Sequence, residues 1–307
     1  METNRNFCAK ILLFGEYSVI CNSMGLTMPY DRYSGRFRKA GTPSEEQQKS
    51  IENLKGFYHY LKQLDEKSEL PASLDLKAFK KELEEGLYFA SDIPQGYGVG
   101  SSGALCAAVF DRFALNGRNG ELSELKKIFA RMESWFHGTS SGLDPLISYL
   151  NKPLLIRNKE TLEIMKKPEG LLSDYVKTFL VDTGKTGETG HLVQMFMNKC
   201  RESRFDEEIK NTLIPLNNSC IEKYAKGDLS AFIPEVKQLS AFFLKYFKPM
   251  IPEHFQQFWE EGIKESTPYT LKLCGSGGGG FLLGFTTDFE AAKARFSGYD
   301  LFEVGAA

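Results

Sequence analysis

A glycine-rich stretch at residues 93–103, followed by an apolar run, constrains this chain more than any other feature. Glycines stand at positions 96, 98, 100 and 103, two serines at 101 and 102, and the residues at 104–110 are all uncharged. The pattern predicts the end of a strand, a glycine turn and a buried helix. Alternating glycines permit positive φ angles and close approach of a ligand to the backbone. The first N–H groups of a helix attract anions. The stretch therefore predicts a phosphate-binding loop.

A helix cap, a dinucleotide-binding loop and a P-loop are the alternatives to this prediction. An ordinary helix with Ser101 as its N-cap would need fewer glycines, although it stays open as the simpler alternative. Gly98–Gly103 matches the dinucleotide-binding pattern G-x-G-x-x-G, but the region after Glu121 has a helical period where that fold requires a strand. A nucleoside-triphosphate P-loop, G-x-x-x-x-G-K-[ST], is also excluded. The only Gly-Lys-Thr in the chain is at residues 184–186, and it lacks the required earlier glycine.

Composition excludes several classes of protein. The chain has 307 residues, of which 42% are hydrophobic and 25% charged, with a net charge of −2. These values are ordinary for a globular protein large enough for two domains. Because no long run of one charge sign occurs, the sequence predicts neither a nucleic-acid surface nor a membrane surface.

The six cysteines are scattered, without the C-x-x-C spacing of a zinc site or a disulfide framework. The N-terminus lacks the pattern of a signal peptide, and no run of 18 apolar residues occurs. The sequence therefore predicts a cytoplasmic protein. It leaves the oligomeric state open, with a homodimer among the options.

Hydrophobic periodicity predicts a chain of mixed helices and strands. Helices are predicted over residues 44–67, 76–85, 104–115, 122–136, 192–200, 205–226, 229–247, 254–263 and 289–296. Strands are predicted over residues 9–14, 26–38, 87–90, 154–157, 162–165, 178–181, 270–274, 281–285 and 301–304.

The glycine-rich stretch resembles the phosphate loop of the GHMP kinase superfamily, P-x-x-x-G-L-G-S-S-A. Pro94, Gly98, Gly100 and Ser102 stand at motif positions, and Gly103 replaces the usual alanine. The run from Lys10 to Val19 resembles the first motif of mevalonate kinases, K-x-I-L-F-G-E-H-x-V-V. Tyr17 takes the place of its histidine, as phosphomevalonate kinases also tend to have.

Residues 137–144, His-Gly-Thr-Ser-Ser-Gly-Leu-Asp, resemble the mevalonate kinase signature H-G-x-P-S-G-x-D, with Ser140 in place of proline. Residues 141–144 also fit a helix capping box, which stays open as an alternative role for Asp144. Residues 272–280 resemble the third superfamily motif, K-L-x-G-A-G-G-G-G. The segment 182–189 resembles a family segment that ends in R-x-T, but Gly187 stands where a basic residue is usual.

The resemblance implies a role for each matching residue. The catalytic residues would be Asp144, which takes or orients the proton of the acceptor hydroxyl, and Lys10, which favours the ionised carboxylate. The magnesium ligands would be Ser102 and Glu133. The ATP-binding residues would be Pro94, Gly96, Gly98, Gly100, Ser101, Ser102, Gly103, Gly277 and Gly278. The candidates for contacts with the acceptor are Glu16, Tyr17, His137, Lys185 and Thr189.

The fold implied by the resemblance is α+β, the two-domain GHMP kinase fold. It would have an N-terminal ribosomal-S5-like domain over residues 1–170 and a C-terminal ferredoxin-like α/β domain over residues 171–307. The implied activity is a kinase that uses ATP and Mg²⁺ and phosphorylates a small-molecule alcohol. The favoured acceptor is mevalonate, which would give 5-phosphomevalonate for isoprenoid synthesis. Phosphomevalonate kinase, a sugar kinase and a nucleotide-binding regulator without turnover stay open as alternatives.

Overall fold

The computed structural model describes residues 5–165, 175–187 and 189–305, and leaves out the side chains of residues 189 and 229. The chain packs into two units, each built from several separate segments. Unit 1 comprises Met1–Lys10, Pro29–Pro94 and Gly100–Asn151, and unit 2 comprises Ile11–Met28, Gln95–Val99 and Lys152–Ala307. The single domain boundary predicted between residues 170 and 171 lies outside the described residues.

Two strands run from one unit into the other, and unit 1 adds one strand and five helices of its own. The strands are β1 (Phe7–Phe14), β2 (Gly25–Lys39) and β3 (Leu87–Ser91). The helices are α1 (Glu45–Glu66), α2 (Leu76–Glu84), α3 (Ser101–Phe113), α4 (Leu122–His137) and α5 (Leu143–Leu150).

Unit 2 contains the remaining strands and helices of the described chain. The strands are β4 (Leu154–Ile156), β5 (Leu162–Ile164), β6 (Lys177–Asp182), β7 (Tyr269–Leu273), β8 (Phe281–Thr286) and β9 (Leu301–Val304). The helices are α6 (Thr189–Lys199), α7 (Ser203–Glu208), α8 (Ile214–Lys226), α9 (Leu229–Tyr246), α10 (Gln256–Gly262) and α11 (Phe289–Arg295). A π-helical turn at Ile209–Leu213 joins α7 to α8.

Two sheets organise these elements. One sheet has the strand order β1-β2-β4-β5, with β3 also paired to β2. The other has the order β7-β8-β6-β9 and is antiparallel throughout. The α+β class predicted from the sequence is therefore confirmed. No helix in the described segments is both long enough and apolar enough to cross a membrane.

Local sequence signals explain where α1 begins and which parts of α1 and α3 are buried. Ser44 caps α1, because its side chain accepts from the Gln47 amide while the Gln47 side chain accepts from the Ser44 amide. The apolar face of α1 is buried at Ile51, Leu54, Phe57, Leu61 and Leu64. Helix α3 is buried from Gly103 to Phe110, as its uncharged sequence predicts, and it packs against α4 and α5.

Unit 2 contains a buried ion pair. The ammonium of Lys272 on β7 lies 2.5 Å from Oε1 of Glu16, and neither side chain is more than 1% exposed. Lys272 also donates to the carbonyl oxygen of Leu273 over 2.9 Å and lies above the ring of Phe14. Removing one partner of such a pair would leave an uncompensated buried charge, which is strongly destabilising. Glu16 therefore has a structural role, and its contact with an acceptor stays a prediction.

Candidate active site

The glycine-rich stretch forms a loop in which alternate residues are in the left-handed region. Gly96, Gly98 and Gly100 have φ angles of 77°, 74° and 79°, where an L side chain would be strained. Helix α3 begins directly afterwards, and its N-cap is Gly100, with no side-chain cap. The interpretation of Ser101 as an ordinary N-cap is therefore wrong. The first N–H groups of α3 lack intrahelical partners, which suits them to bind a phosphate group.

Two neighbouring loops of unit 2 brace the first half of the phosphate loop. The amide of Gly187 donates to the carbonyl oxygen of Gly96 over 2.9 Å. A Cβ at Gly98 would lie 2.8 Å from the carbonyl oxygen of Cys274. Backbones that approach this closely require glycine, so the glycine-rich loop after β7 buttresses the phosphate loop, as its composition predicts.

Gly277 and Gly278, which the sequence predicts to bind ATP, pack against another part of unit 2. The amide of Gly278 donates to the carbonyl oxygen of Met250 over 2.6 Å. A Cβ at Gly277 would lie 2.5 Å from the same oxygen. Packing alone accounts for both glycines, and their contact with ATP stays a prediction.

Gly187 stands where the motif that this segment resembles has a basic residue, and its surroundings leave little room for a side chain. A Cβ there would lie 2.7 Å from the carbonyl oxygen of Gly277 and 3.4 Å from the amide nitrogen of Gly279. A larger side chain would push these loops apart. Lys185, two residues earlier, has an exposed side chain, while its carbonyl oxygen accepts from the amide of Gly280.

Lys10 and Asp144 form an ion pair in unit 1. The Lys10 ammonium nitrogen lies 3.1 Å from Oδ2 of Asp144. The lysine side chain is 8% exposed and the aspartate side chain 35% exposed, so the carboxylate remains accessible while the ammonium is enclosed. β1 supplies Lys10, and the first turn of α5 supplies Asp144. The two residues predicted to be catalytic are therefore adjacent.

The alternative role of Asp144 as part of a capping box is wrong. The N-cap of α5 is Gly142, with a φ of 72°, and this residue has no side chain with which to form a capping box. The Asp144 carboxylate instead pairs with Lys10.

Two glycines of the phosphate loop leave the space that this ion pair occupies. A Cβ at Gly100 would lie 2.9 Å from Cγ of Lys10 and 3.5 Å from Oδ2 of Asp144. A Cβ at Gly103 would lie 2.7 Å from the carbonyl carbon of Asp144 and 2.8 Å from the nitrogen of Pro145. The alanine usual at the Gly103 position would not fit, because the backbone of α5 passes too close to α3.

Glu133, on α4, is 4% exposed and accepts hydrogen bonds at both carboxylate oxygens. The Ser102 hydroxyl donates to Oε1 over 3.1 Å, and the Ser140 hydroxyl donates to Oε2. Nε2 of His137 lies 3.0 Å from the Ser102 hydroxyl oxygen. The structure therefore brings together both predicted metal ligands, and His137 contacts one of them.

Burial raises the pKa of Glu133 to about 7, and the negative charge of Asp144 contributes to the rise. Hydrogen bonds from Ser140 and Ser102 and the positive charge of Lys10 act in the opposite direction. A carboxylate that is costly to ionise in its buried surroundings is stabilised by a cation bound beside it.

The donor set fits Mg²⁺ whose coordination is completed by nucleotide phosphates. Mg²⁺ usually binds to one or two carboxylates together with phosphate oxygens and water. Glu133 and Ser102 offer hard oxygen donors next to the start of α3. Within the described residues, no cluster of three or more His, Cys, Asp or Glu side chains could hold a metal ion.

Glu16 and Tyr17, two of the candidates for contacts with the acceptor, lie in a strained segment. Tyr17 has a φ of 62° and a ψ of −42°, and the amide of Ser18 donates to the carbonyl oxygen of Glu16 over 2.6 Å. This is a classic-type γ-turn, a rare and strained conformation of the kind found at functional sites. The Tyr17 hydroxyl donates to the carbonyl oxygen of Ser276 over 2.6 Å. Thr189 begins α6, but its side chain lies outside the described residues.

Sequence reasoning assigned no role to Ser140 or to Lys272. The only available signal for Ser140 was its departure from the proline of the motif. The signal for Lys272 was a lysine within a strand of otherwise apolar character.

Part of the chain matches a family model. A family model described as the GHMP kinases N terminal domain matches residues 58–152, which include the second half of the phosphate loop, Glu133 and Asp144. The matched segment is therefore similar to the N-terminal domain of the GHMP kinases, and the α+β fold of the chain agrees with this likeness.

Particular relatives cover much of the chain. The mevalonate kinase of Thermococcus sibiricus is 27% identical over 250 residues, which are 75% of this chain and 71% of that protein. The structure is similar to L. major mevalonate kinase in complex with R-mevalonate, with a TM-score of 0.65 and 15% identity over 100% of this chain and 98% of that one. It is also similar to Lactococcus lactis galactokinase complexed with galactose, with a TM-score of 0.68 and 16% identity over 97% of this chain and 92% of that one. At these identities the structural likeness supports the fold alone.

We predict that Glu133 makes the metal-free protein less stable as the pH rises. Its folded pKa of about 7 lies above its ordinary value of 4.5, so the native state binds more protons between these values. The free energy of unfolding therefore falls as the pH rises through this window. Denaturant unfolding in the presence of a chelator would measure the free energy of unfolding of Glu133→Gln relative to that of the wild type. This difference should increase by about 1–3 kcal/mol from about pH 5 to about pH 8. An equal difference at both pH values would contradict this.

We also predict that Gly103→Ala lowers kcat by about 10- to 100-fold. The added methyl group would push α5, and with it Asp144, away from its position, and misplacement by about 1 Å can cost this much. Steady-state kinetics would measure the loss. Gly41→Ala is the matched control, because a Cβ at Gly41 meets nothing within 4 Å. A Gly103→Ala variant that keeps the wild-type kcat would refute the packing argument.

Proposed function

We propose that this protein transfers the γ-phosphoryl group of ATP to the primary hydroxyl of mevalonate and forms 5-phosphomevalonate. The observation that carries the proposed chemistry is the ion pair between Lys10 and Asp144, 3.1 Å long, with an accessible carboxylate. The choice of mevalonate rests on the likeness of the sequence to the Thermococcus sibiricus enzyme and on the motif at residues 137–144.

Asp144 receives the proton of the acceptor hydroxyl in this proposal. The hydroxyl oxygen attacks the γ-phosphorus, the bond from that phosphorus to the bridging oxygen breaks, and ADP leaves. Lys10 contacts Oδ2, so we assign Oδ1 to the acceptor. The ammonium keeps the carboxylate ionised and orients it, which matches what phosphoryl transfer requires, namely positioning and control of charge.

The start of α3 and the buried carboxylate bind the phosphate end of ATP. The left-handed glycines 98 and 100 let phosphate oxygens reach the first N–H groups of the helix. Ser102 and Glu133 would hold Mg²⁺, which neutralises the negative charge on the β- and γ-phosphates when it is bound.

The acceptor is recognised by residues that the motifs indicate, among which Lys185 has a distinct task. Mevalonate carries a carboxylate, for which a fixed positive charge is a favourable partner. Because Gly187 cannot carry a side chain without displacing the neighbouring loops, Lys185 takes over from the family's basic residue. The other candidates for contacts with the acceptor are Tyr17, His137, Thr189 and Glu16, whose carboxylate is buried against Lys272.

Phosphomevalonate is an alternative acceptor that one observation favours. Tyr17 replaces the histidine of the first mevalonate kinase motif, a feature that phosphomevalonate kinases share. A regulator without turnover is disfavoured, because Lys10 and Asp144 are paired and Glu133 is retained beside them.

The proposed substrate can be tested with a panel of acceptors assayed for ADP release in the presence of Mg²⁺. We expect kcat/KM to be highest for mevalonate, with lower values for phosphomevalonate and galactose. Turnover of phosphomevalonate or of a sugar without turnover of mevalonate would overturn the acceptor assignment but not the kinase chemistry.

The catalytic role of Asp144 predicts that Asp144→Asn lowers kcat by about 10²- to 10⁴-fold, the usual contribution of a positioned acid or base. ATP affinity should stay within about twofold of the wild type, a difference of about 0.4 kcal/mol. Kinetics and nucleotide titration on the same variant test both parts. A variant that loses thermal stability and keeps its kcat would show that Asp144 is only structural.

The role of Lys185 predicts that Lys185→Met raises KM for the acceptor by about 10-fold, whereas Lys185→Arg, which keeps the charge, stays near the wild type. KM for ATP should be unchanged in both variants. If both kinetic constants of Lys185→Met match the wild type, the lysine is an ordinary solvated side chain.

A further inference from the structure

Ser140 occupies the loop between α4 and α5 and forms a hydrogen bond with Glu133 on α4 and with the N-cap residue of α5. Its hydroxyl donates to Oε2 of Glu133 and accepts from the amide of Gly142 over 2.9 Å. Gly142 is the N-cap of α5, the helix that carries Asp144 in its first turn. One side chain therefore joins the buried carboxylate of α4 to the beginning of α5.

The hydrogen bond from Ser140 occupies Oε2 of Glu133 and leaves Oε1 to a different donor. Ser102 donates to Oε1 over 3.1 Å, so each oxygen has its own hydroxyl donor. The last torsion of a glutamate side chain is soft and has no sharp rotamer. With Ser140 holding Oε2, the carboxylate keeps Oε1 turned toward Ser102 and the start of α3.

Proline, which the related motif has at this position, could make neither contact. It has no hydroxyl to donate to a carboxylate and no side-chain oxygen to accept from the Gly142 amide. The serine is therefore a chemical change that creates two hydrogen bonds in this chain.

We propose that Ser140 is a positioning residue that orients Glu133 for Mg²⁺ bound with the nucleotide. The proposal rests on the proposed function, because Glu133 is a metal ligand only in a kinase of this kind. Ser140 does not touch the metal. It keeps one carboxylate oxygen occupied so that the other points to the ion, as hydrogen bonds from residues behind metal ligands commonly do.

The test is direct binding of Mn²⁺, as a probe for Mg²⁺, to the full protein saturated with ADP, followed by electron paramagnetic resonance. Ser140→Ala should weaken Mn²⁺ binding by about 10-fold, the lower end of the usual effect of such residues. Binding of ADP without metal should be unchanged. Ser140→Thr keeps the hydroxyl and should restore most of the affinity.

Ser134→Ala is the matched control, because this serine neighbours Glu133 and its hydroxyl donates to the carbonyl oxygen of Ala130 instead. It should bind Mn²⁺ like the wild type. If Ser140→Ala does not fold, Ser140→Cys carries the test, because a thiol is a weak donor and should give a smaller loss in the same direction.

Mn²⁺ affinity equal to the wild type in Ser140→Ala, or in Ser140→Cys where the alanine variant does not fold, would overturn the proposal. So would equal losses of Mn²⁺ binding and metal-free ADP binding, which would indicate a general structural role. The measurement uses no acceptor, so an error in the choice of mevalonate leaves it unaffected. A protein that binds Mn²⁺ and ADP as expected but phosphorylates no acceptor would refute the proposed function alone.

Discussion

The ion pair between Lys10 and Asp144 is the interaction on which the candidate active site depends, and close backbone packing makes it possible. Asp144 reaches Lys10 because α5 approaches α3 so closely that a methyl group at Gly103 would lie 2.7 Å from the α5 backbone. Gly100 leaves the space beside the lysine side chain. The same helix start that offers N–H groups to a phosphate therefore also sets the position of the carboxylate.

Glycine has a similar role in unit 2, where three loops support one another through backbone contacts. Gly187 hydrogen-bonds to Gly96, and Gly98 leaves room for the carbonyl oxygen of Cys274. These contacts agree with a glycine at position 187, where the motif that the segment resembles has a basic residue, because a side chain there would separate the loops. The Gly103 and Ser140 departures likewise correspond to particular contacts. Each of these three departures has a neighbouring atom within about 3 Å that accounts for it.

Much of the fold and part of the site could be predicted from the sequence, because those parts rest on local signals. The Ser44 cap, the buried character of α3 and the glycine pattern of the phosphate loop each depend on residues that are close together in the sequence. Local signals also misled: residues 141–144 fit a capping box that does not form, and the helix predicted over 205–226 contains a π-helical turn. The contacts of Ser140 could not be predicted, because they depend on how α4 and α5 pack.

The most direct test of this account is a crystal structure of the protein with Mg²⁺ and a non-hydrolysable ATP analogue. We expect oxygens of Glu133 and Ser102 to bind the metal ion together with phosphate oxygens, with Ser140 still bonded to Glu133 and Asp144 still paired with Lys10. A complex in which Glu133 keeps its hydrogen bond to Ser102 and the ion lies on other residues would contradict it.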